Sequence, residues 1–313
     1  MKTYRQIVHD LSLVYPENEA RALARWLCEE RFGLTQNDIL LDKDNHFSAD
    51  DLANLKEITS RLIKHEPIQY ILGYTTFCGH RFDVGPGVLI PRPETAELVA
   101  AILRSLASRS VGSVVPIPEL PSPRSVGGAV PISSRSVGGA LASPSILDIG
   151  TGSGCIALSL ALALPEANVT GWDLCPEALE YAQRNAERYP EAHVHFEQAD
   201  IFDPPKDDRQ WDIIVSNPPY VRQSEAATME DNVLRYEPHE ALFVPDDSPL
   251  LYYHAIAKFA ISRLKNEGQL WLEINEALGE ETAHFIEDFG FMEVALMKDD
   301  YGKDRMLKCS KKS

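Results

Sequence analysis

The chain is short of positive charge. Its 313 residues carry 30 Lys and Arg against 47 Asp and Glu, a net charge of −17. Proteins that grip a nucleic-acid backbone usually carry a basic excess, so this balance argues against direct nucleic-acid binding. Cysteine is sparse as well: Cys28, Cys78, Cys155, Cys175 and Cys309 include no CxxC pair. An odd, unpatterned set argues against a disulfide framework or a metal site and fits a reducing compartment. Long apolar runs are missing, since Cys155 to Leu164 is the longest and spanning a bilayer takes about 20 residues. The opening MKTYRQIVHD has no apolar segment of the secretory kind, so a cytoplasmic protein with no membrane contact is expected. What is present is ordinary core material, 44% of it apolar.

Residues 1–74 read as a small helical domain. RALARWLCEERFG places Leu23, Trp26 and Leu27 at i, i+3, i+4 and stops at Gly33. SADDLANLKEITSRLIKHEP opens on Ser48 as a candidate N-cap, with Asp51 three positions on and an apolar stripe of Leu52, Leu55 and Leu62. Residues 75–92 then change character: two strand-like runs around Cys78-Gly79-His80 predict a β-hairpin linking two domains. From residue 93 to 313 strands and helices alternate, which predicts an α/β sheet with helices on both faces. The strand candidates are SILDIG, NVTGWD, VHFEQAD, WDIIVSN, GQLWLEI, FMEVALM and RMLKCS. At about 108–144 a Ser/Gly/Pro-rich stretch repeats Arg-Ser-Val-Gly from Arg109, Arg124 and Arg135 at irregular intervals. It lacks the regular period and buried face of a solenoid and is expected to loop out as a disordered insertion.

Ligands on such sheets sit at the carboxyl ends of the strands, and the sequence puts polar groups there. ILDIGTGSGCIAL carries Gly150, Gly152 and Gly154 between a strand and a helix. Glycines let a ligand approach the backbone, and a helix start offers free N–H groups. The spacing is GxGxG rather than GxGxxG, and a plain tight turn is the alternative. The next strand ends on Asp173, able to hold a ribose diol or to cap the helix near Pro176. The third ends on Asp200, beside Ile201 and Phe202. A carboxylate accepting from an amine with apolar side chains against a ring would suit adenine; a turn aspartate is the alternative. His193 and His195 alternate along one strand without a third ligand and read as solvated surface.

The fourth strand stops at Asn217-Pro218-Pro219-Tyr220. The two prolines cannot donate ladder hydrogen bonds, so the strand ends there. A planar amide or amino nitrogen is a poor nucleophile, and two acceptors bonding its hydrogens would hold it and favour pyramidalisation. The Asn217 side chain and the Pro218 carbonyl are such acceptors. The prolines pre-order them, and Tyr220 can pack on a planar group.

Glycine loop, ribose acid and adenine acid on successive strands resemble the class I methyltransferases that use S-adenosylmethionine. That resemblance implies a Rossmann-like seven-stranded sheet, with Gly150, Thr151, Gly152, Ser153, Gly154, Asp173, Asp200, Ile201, Phe202 and Asn217 at the cofactor and Asp148 near its methionine portion. LIPRPET (Leu89 to Thr95), PIQYILGYTTFCGHRFDV and YEPHEAL (Tyr236 to Leu242), together with NPPY, resemble the release-factor glutamine methyltransferases. This second resemblance implies methylation of the glutamine side-chain nitrogen in the Gly-Gly-Gln loop of class I peptide-chain release factors. Asn217, Pro218, Pro219 and Tyr220 would lie at the substrate, and the helical domain would grip the release factor. A nucleic-acid adenine methyltransferase could use the same NPPY pocket, and a binding protein with a dead site is a third reading.

Overall fold

Helical spacing of small and apolar residues builds the first of two units in the structure, a computed structural model that describes residues 2–40, 47–109 and 143–312. This unit comprises residues 1–74 together with 229–237, a segment that the sequence reading assigns to the larger domain. Its helices are α1 (Lys2–Leu11), α2 (Glu17–Phe32), α3 (Gln36–Leu40), α4 (Ala49–Ile63) and α5 (Ile68–Leu72). The α2 helix ends at Gly33, whose φ of +63° is the left-handed conformation that closes a helix, with its N–H on the Glu29 carbonyl. Ser48 and Asp51 form a reciprocal capping box at the start of α4. The buried stripe of α2 is Ala20, Ala24, Leu27 and Cys28, and that of α4 is Leu55, Ile58 and Leu62. Leu52 departs from expectation and is 44% exposed. It lies in the first turn, roughly 60° round the helix from Leu55, at the edge of the stripe. In the returning segment, the Tyr236 hydroxyl donates to the Lys64 carbonyl at 2.9 Å.

The second unit begins with a hairpin, β1 (Tyr74–Phe77) and β2 (His80–Asp83), closed by Cys78 and Gly79. Both turn residues have positive φ, +49° and +79°, the geometry of a type I′ turn that matches strand twist. The order continues α6 (Pro93–Arg109), β3 (Ser145–Ile149), α7 (Cys155–Ala163), β4 (Asn168–Asp173), α8 (Pro176–Arg188), β5 (Val194–Gln198) and β6 (Trp211–Ser216). Then come β7 (Val221–Arg222), α9 (Asp231–Tyr236, in the first unit), β8 (Phe243–Val244), α10 (Leu251–Arg263), β9 (Leu264–Glu273), α11 (Gly279–Asp288), β10 (Met292–Lys298) and β11 (Asp304–Ser310). The repeated stretch between α6 and β3 falls mainly at 110–142, outside the described residues.

Seven strands form one sheet in the order β10-β11-β9-β6-β3-β4-β5. The five from β9 to β5 run parallel, while β11 and β10 are antiparallel at one edge. This is the class I methyltransferase fold expected from the alternation of elements. Alternate residues of each central strand feed opposite faces: Ile213 and Val215 join one core, Ile214 the other. Strands covered on both faces must be apolar throughout, which is why these runs are nearly continuous. The α7 sequence CIALSLALA is apolar on all sides because it is buried on all sides. Strand order reverses at β3, which pairs with β4 on one side and β6 on the other. The loops leaving β3, β4 and β6 therefore diverge from one crevice.

Gly171, in the middle of β4, leaves room for its neighbours. A Cβ there would lie 2.6 Å from the Phe196 ring and 2.7 Å from Thr151 Oγ1. Gly171→Ala is expected to destabilise the protein by about 1–3 kcal/mol through overpacking. Urea unfolding would register this as a lowered midpoint at unchanged slope; an unchanged midpoint would mean that Phe196 and Thr151 yield at no cost.

Candidate active site

The crevice holds a cavity of about 320 Å³, within the usual range for a small-molecule site. Gly150 and Gly152 lie on its wall together with Asp173, Asp200, Asn217 and Pro218. The glycine loop is held from below. The N–H groups of Gly150 and Thr151 both donate to the Trp172 carbonyl at 2.8 Å, coupling the end of β3 to the end of β4. Gly150, Gly152 and Gly154 all have φ between +56° and +78°. A Cβ on Gly150 would meet no protein atom within 4 Å and would project into open space, so the glycine keeps a ligand cradle clear. A Cβ on Gly154 would meet Phe196 at 2.8 Å, so that glycine serves helix-to-sheet packing.

Thr151, Ser153 and Gly154 are not among the cavity-lining residues. Their groups turn inward. Thr151 Oγ1 donates to Asp148 Oδ2 at 2.6 Å, and the Ser153 carbonyl accepts from Asn185 Nδ2 at 2.9 Å. Asn185, on α8, also pairs with both backbone groups of Asp83, so one fully buried amide ties the hairpin to the glycine loop. Asp148 lies beneath the loop, fully buried, with the Ala157 N–H also on Oδ2. Burial pushes its carboxyl up to about 7, and Oδ1 has no partner among the described residues. Two N–H groups of the loop and helix start are thereby engaged within the protein: Ala157 by Asp148, and Gly152 by Asp173.

Asp173 holds both the loop and the next helix. Its Oδ2 accepts from Gly152 N–H at 2.8 Å, and its Oδ1 from Cys175 N–H at 2.9 Å. The N-cap of α8 is Cys175, so Asp173 stands outside the helix it supports. A carboxylate has about four acceptor positions, and two remain for a diol. Burial raises the Asp173 pKa, against the lowering effect of the backbone bonds. Asp200 lines the cavity while its Oδ1 accepts the Phe202 N–H at 2.8 Å, the geometry of a turn aspartate. Ile201 and Phe202 both line the cavity. Ile201 packs partly on the core, whereas Phe202 is 50% exposed and meets the Tyr252 ring at 5.1 Å. Tyr252 and Val88, also on the wall, are residues that no spacing in the sequence marks out. The cavity therefore offers a glycine cradle, two carboxylates and an apolar slot, a donor set that fits an adenosine-containing cofactor.

The end of β6 forms the opposite wall. Ser216 is buried, with its hydroxyl on the Ile149 carbonyl at 2.7 Å, and Asn217, Pro218 and Pro219 face the cavity. Among the described residues, the Asn217 amide makes one hydrogen bond, from Nδ2 to Thr95 Oγ1 at 3.1 Å, which leaves Oδ1 uncommitted. Tyr220 is not among the lining residues. Tyr220 is half-buried, and its hydroxyl donates to Glu273 Oε1 at 3.0 Å. Thr95 Oγ1 donates to Glu273 Oε2 at 2.7 Å. Glu273, at the end of β9, is almost wholly buried; burial raises its pKa, while the bonds from Thr95 and Tyr220 and the Arg305 charge oppose the rise. No spacing in the sequence marks a role for Thr95 or Glu273. The available signal for Glu273 is an acid closing a buried strand in LWLEIN. His193 and His195 are both exposed, and among the described residues no group of three or more His, Cys, Asp or Glu could hold a metal ion. Nor is any described helix long and apolar enough to cross a membrane.

Two family models match the chain. A PrmC N-terminal domain matches residues 3–73, and a methyltransferase domain matches residues 146–236. The release factor glutamine methyltransferase of Bacteroides thetaiotaomicron is 42% identical over 97% of this chain and 96% of its own length. That of Flavobacterium psychrophilum is 40% identical over 98% of each. A solved release-factor-specific protein-(glutamine-N5) methyltransferase from Alicyclobacillus acidocaldarius is 26% identical, covering 74% of this chain and 100% of that chain, with a TM-score of 0.39. With identity of this level along nearly its whole length and both domains matched, the chain belongs to the release factor glutamine methyltransferase family.

Proposed function

We propose that this enzyme transfers a methyl group from S-adenosyl-L-methionine to the side-chain amide nitrogen of the glutamine in the Gly-Gly-Gln loop of class I peptide-chain release factors. The observation that carries the proposal is the uncommitted Asn217 Oδ1 in the same cavity as Gly150 and Asp173. In this reading Gly150 and Gly152 leave space for the cofactor, and Thr151, Ser153 and Gly154 shape the loop from behind. Asp173 takes the ribose hydroxyls, Asp200 takes the adenine amine, and Ile201 and Phe202 cover the ring. The bound cofactor supplies an electrophilic methyl on a sulfonium. Asn217 Oδ1 and the Pro218 carbonyl accept the two amide hydrogens of the glutamine, turning the nitrogen lone pair toward that methyl. Pro219 fixes the backbone, and Tyr220, anchored on Glu273, braces the turn. No strong base is needed before transfer, because the methylated nitrogen loses its proton readily. The helical unit is the surface that engages the release factor.

Incubating the protein with S-adenosyl-L-methionine and a release factor should add 14 Da to the Gly-Gly-Gln glutamine on tandem mass spectrometry, the mass of one methylene. Methylation of duplex DNA with the release factor left untouched would overturn this reading in favour of an adenine methyltransferase. Asp173→Ala should weaken S-adenosyl-L-methionine by about 1–3 kcal/mol, the scale for hydrogen bonds to a charged group. Calorimetry on folded mutant with wild-type affinity would remove Asp173 from the ribose. Asn217→Ala should slow transfer by roughly 100- to 1000-fold, about 2.7–4 kcal/mol, with smaller loss of cofactor affinity. Asn217→Asp adds a negative charge near the sulfonium, stabilising a cationic ground state whose charge disappears during transfer. It should therefore be slow while still binding cofactor, and wild-type single-turnover rates in both variants would reduce Asn217 to a turn residue.

A further inference from the structure

We propose that Thr95 and Glu273 are positioning residues that lock the Asn217 amide in the one orientation that presents Oδ1, rather than Nδ2, to the substrate nitrogen. The inference rests on the substrate reading above and extends it to two side chains that touch neither substrate nor cofactor.

The supply of protons decides the orientation. An asparagine amide has two nearly isosteric ends, one an acceptor and one a double donor. Only the acceptor end can bond a glutamine NH₂ group; the other would oppose donor to donor. Asn217 contacts Thr95, and a threonine hydroxyl owns a single proton. Thr95 lies 2.7 Å from Glu273 Oε2 and 3.1 Å from Asn217 Nδ2. The Thr95 proton points to Glu273 Oε2, so only lone pairs face Asn217. The Asn217 amide must then turn Nδ2 to Thr95, and Oδ1 is left for the substrate. Reversal would set oxygen against oxygen in a place closed to water, since Thr95 and Glu273 are both nearly wholly buried. Tyr220 strengthens the polarity of the chain by donating to Glu273 Oε1, so both carboxylate oxygens are committed as acceptors. Burial raises the Glu273 pKa, and the bonds from Thr95 and Tyr220, with the nearby Arg305 charge, oppose the rise.

The connection is built from distant pieces of the chain. Thr95 comes from the first turn of α6, Asn217 from the end of β6 and Glu273 from the end of β9. Their hydrogen bonds span 122 and 178 residues of sequence. The Thr95 N–H bonds the Arg92 carbonyl, which seats the helix start on the turn of the LIPRPET segment.

Thr95→Val keeps the branched shape and removes the hydroxyl. Single-turnover and steady-state assays with release factor should give a kcat lowered by up to about 100-fold, the scale for misplacing a reacting group by an ångström. KM for release factor and the affinity for S-adenosyl-L-methionine should stay near wild type. Thr95→Ser should return most of the lost rate. In the Asn217→Ala background, Thr95→Val should cost nothing further, because there is no amide left to orient. Glu273→Gln is a second, independent variant should the valine variant not fold. The Arg305 charge draws the glutamine oxygen toward Tyr220 and leaves its NH₂ facing Thr95. Thr95 must then donate to Asn217, the amide reverses, and kcat falls with cofactor affinity retained. Wild-type kcat in Thr95→Val or in Glu273→Gln would overturn the inference. So would a Thr95→Val loss that multiplies with that of Asn217→Ala. A wild-type protein inactive on release factor would instead overturn the substrate reading, and this inference with it.

Discussion

The parallel pairing of β3 with β4 on one side and β6 on the other sets the geometry of the cavity. Residues in register across those strands end together, so Gly150, Asp173 and Asn217 emerge side by side although the sequence separates them widely. Each strand end is then tied to its neighbour by a bond that belongs to the loops. The Trp172 carbonyl accepts from the Gly150 and Thr151 N–H groups, and the Ser216 hydroxyl donates to the Ile149 carbonyl. A loop anchored by its own backbone needs few side chains to hold its shape, which leaves the cavity-facing side of the glycines bare. The cost falls on the inner side, where Gly154 and Gly171 must stay small for Phe196 to fit.

Two buried carboxyl groups, both with pKa raised by burial, stand at opposite ends of this arrangement and differ in their hydrogen bonds. Asp148 is pushed up to about 7, with one oxygen serving Thr151 and Ala157 and the other without a partner among the described residues. Burial disfavours the charged form of this carboxyl, and it acts mainly as an acceptor that fixes the start of α7. Glu273 is as deeply buried, yet both its oxygens are hydrogen-bonded and a guanidinium lies nearby. Buried polar networks are worth keeping only when fully satisfied, and the one that touches Asn217 is the more completely satisfied of the two.

Much of this was legible in the sequence, for a physical reason. The glycine loop and the Asn-Pro-Pro-Tyr stop are written in residues that dictate backbone directly: positive φ at Gly150 and a missing N–H at Pro218 and Pro219. Continuous apolar runs announced strands buried on both faces, and the Ser48 and Asp51 spacing announced a cap that the structure contains. What stayed illegible depends on tertiary placement. Leu52 has the right spacing for the core but sits at the edge of the stripe. Tyr220 reads as a cavity residue until its hydroxyl is seen to turn to Glu273. Asn185, Thr95 and Glu273 join segments far apart in the chain, and neither propensity nor periodicity carries information about such pairs. Residues 110–142 lie outside the described residues, so the expectation of a looped-out insertion stands apart from these comparisons.

An asparagine used as an acceptor poses a problem that a carboxylate would not. Its two ends differ little in shape, so packing alone cannot choose between them, and an amide that reverses becomes a donor. A carboxylate in its place would be unambiguous, but it would set a full negative charge beside a sulfonium and stabilise the wrong state. The neutral amide is therefore the better acceptor only if something else breaks its symmetry. A hydroxyl cannot do so by itself, because it both donates and accepts. An acid whose two oxygens both accept can, but set directly against Asn217 it would bring the unwanted charge to the site. The chain Asn217–Thr95–Glu273 resolves this by placing one hydroxyl between amide and acid. Glu273 fixes the direction of both hydrogen bonds from the end of β9, where Tyr220 donates to its other oxygen and the Arg305 guanidinium lies nearby.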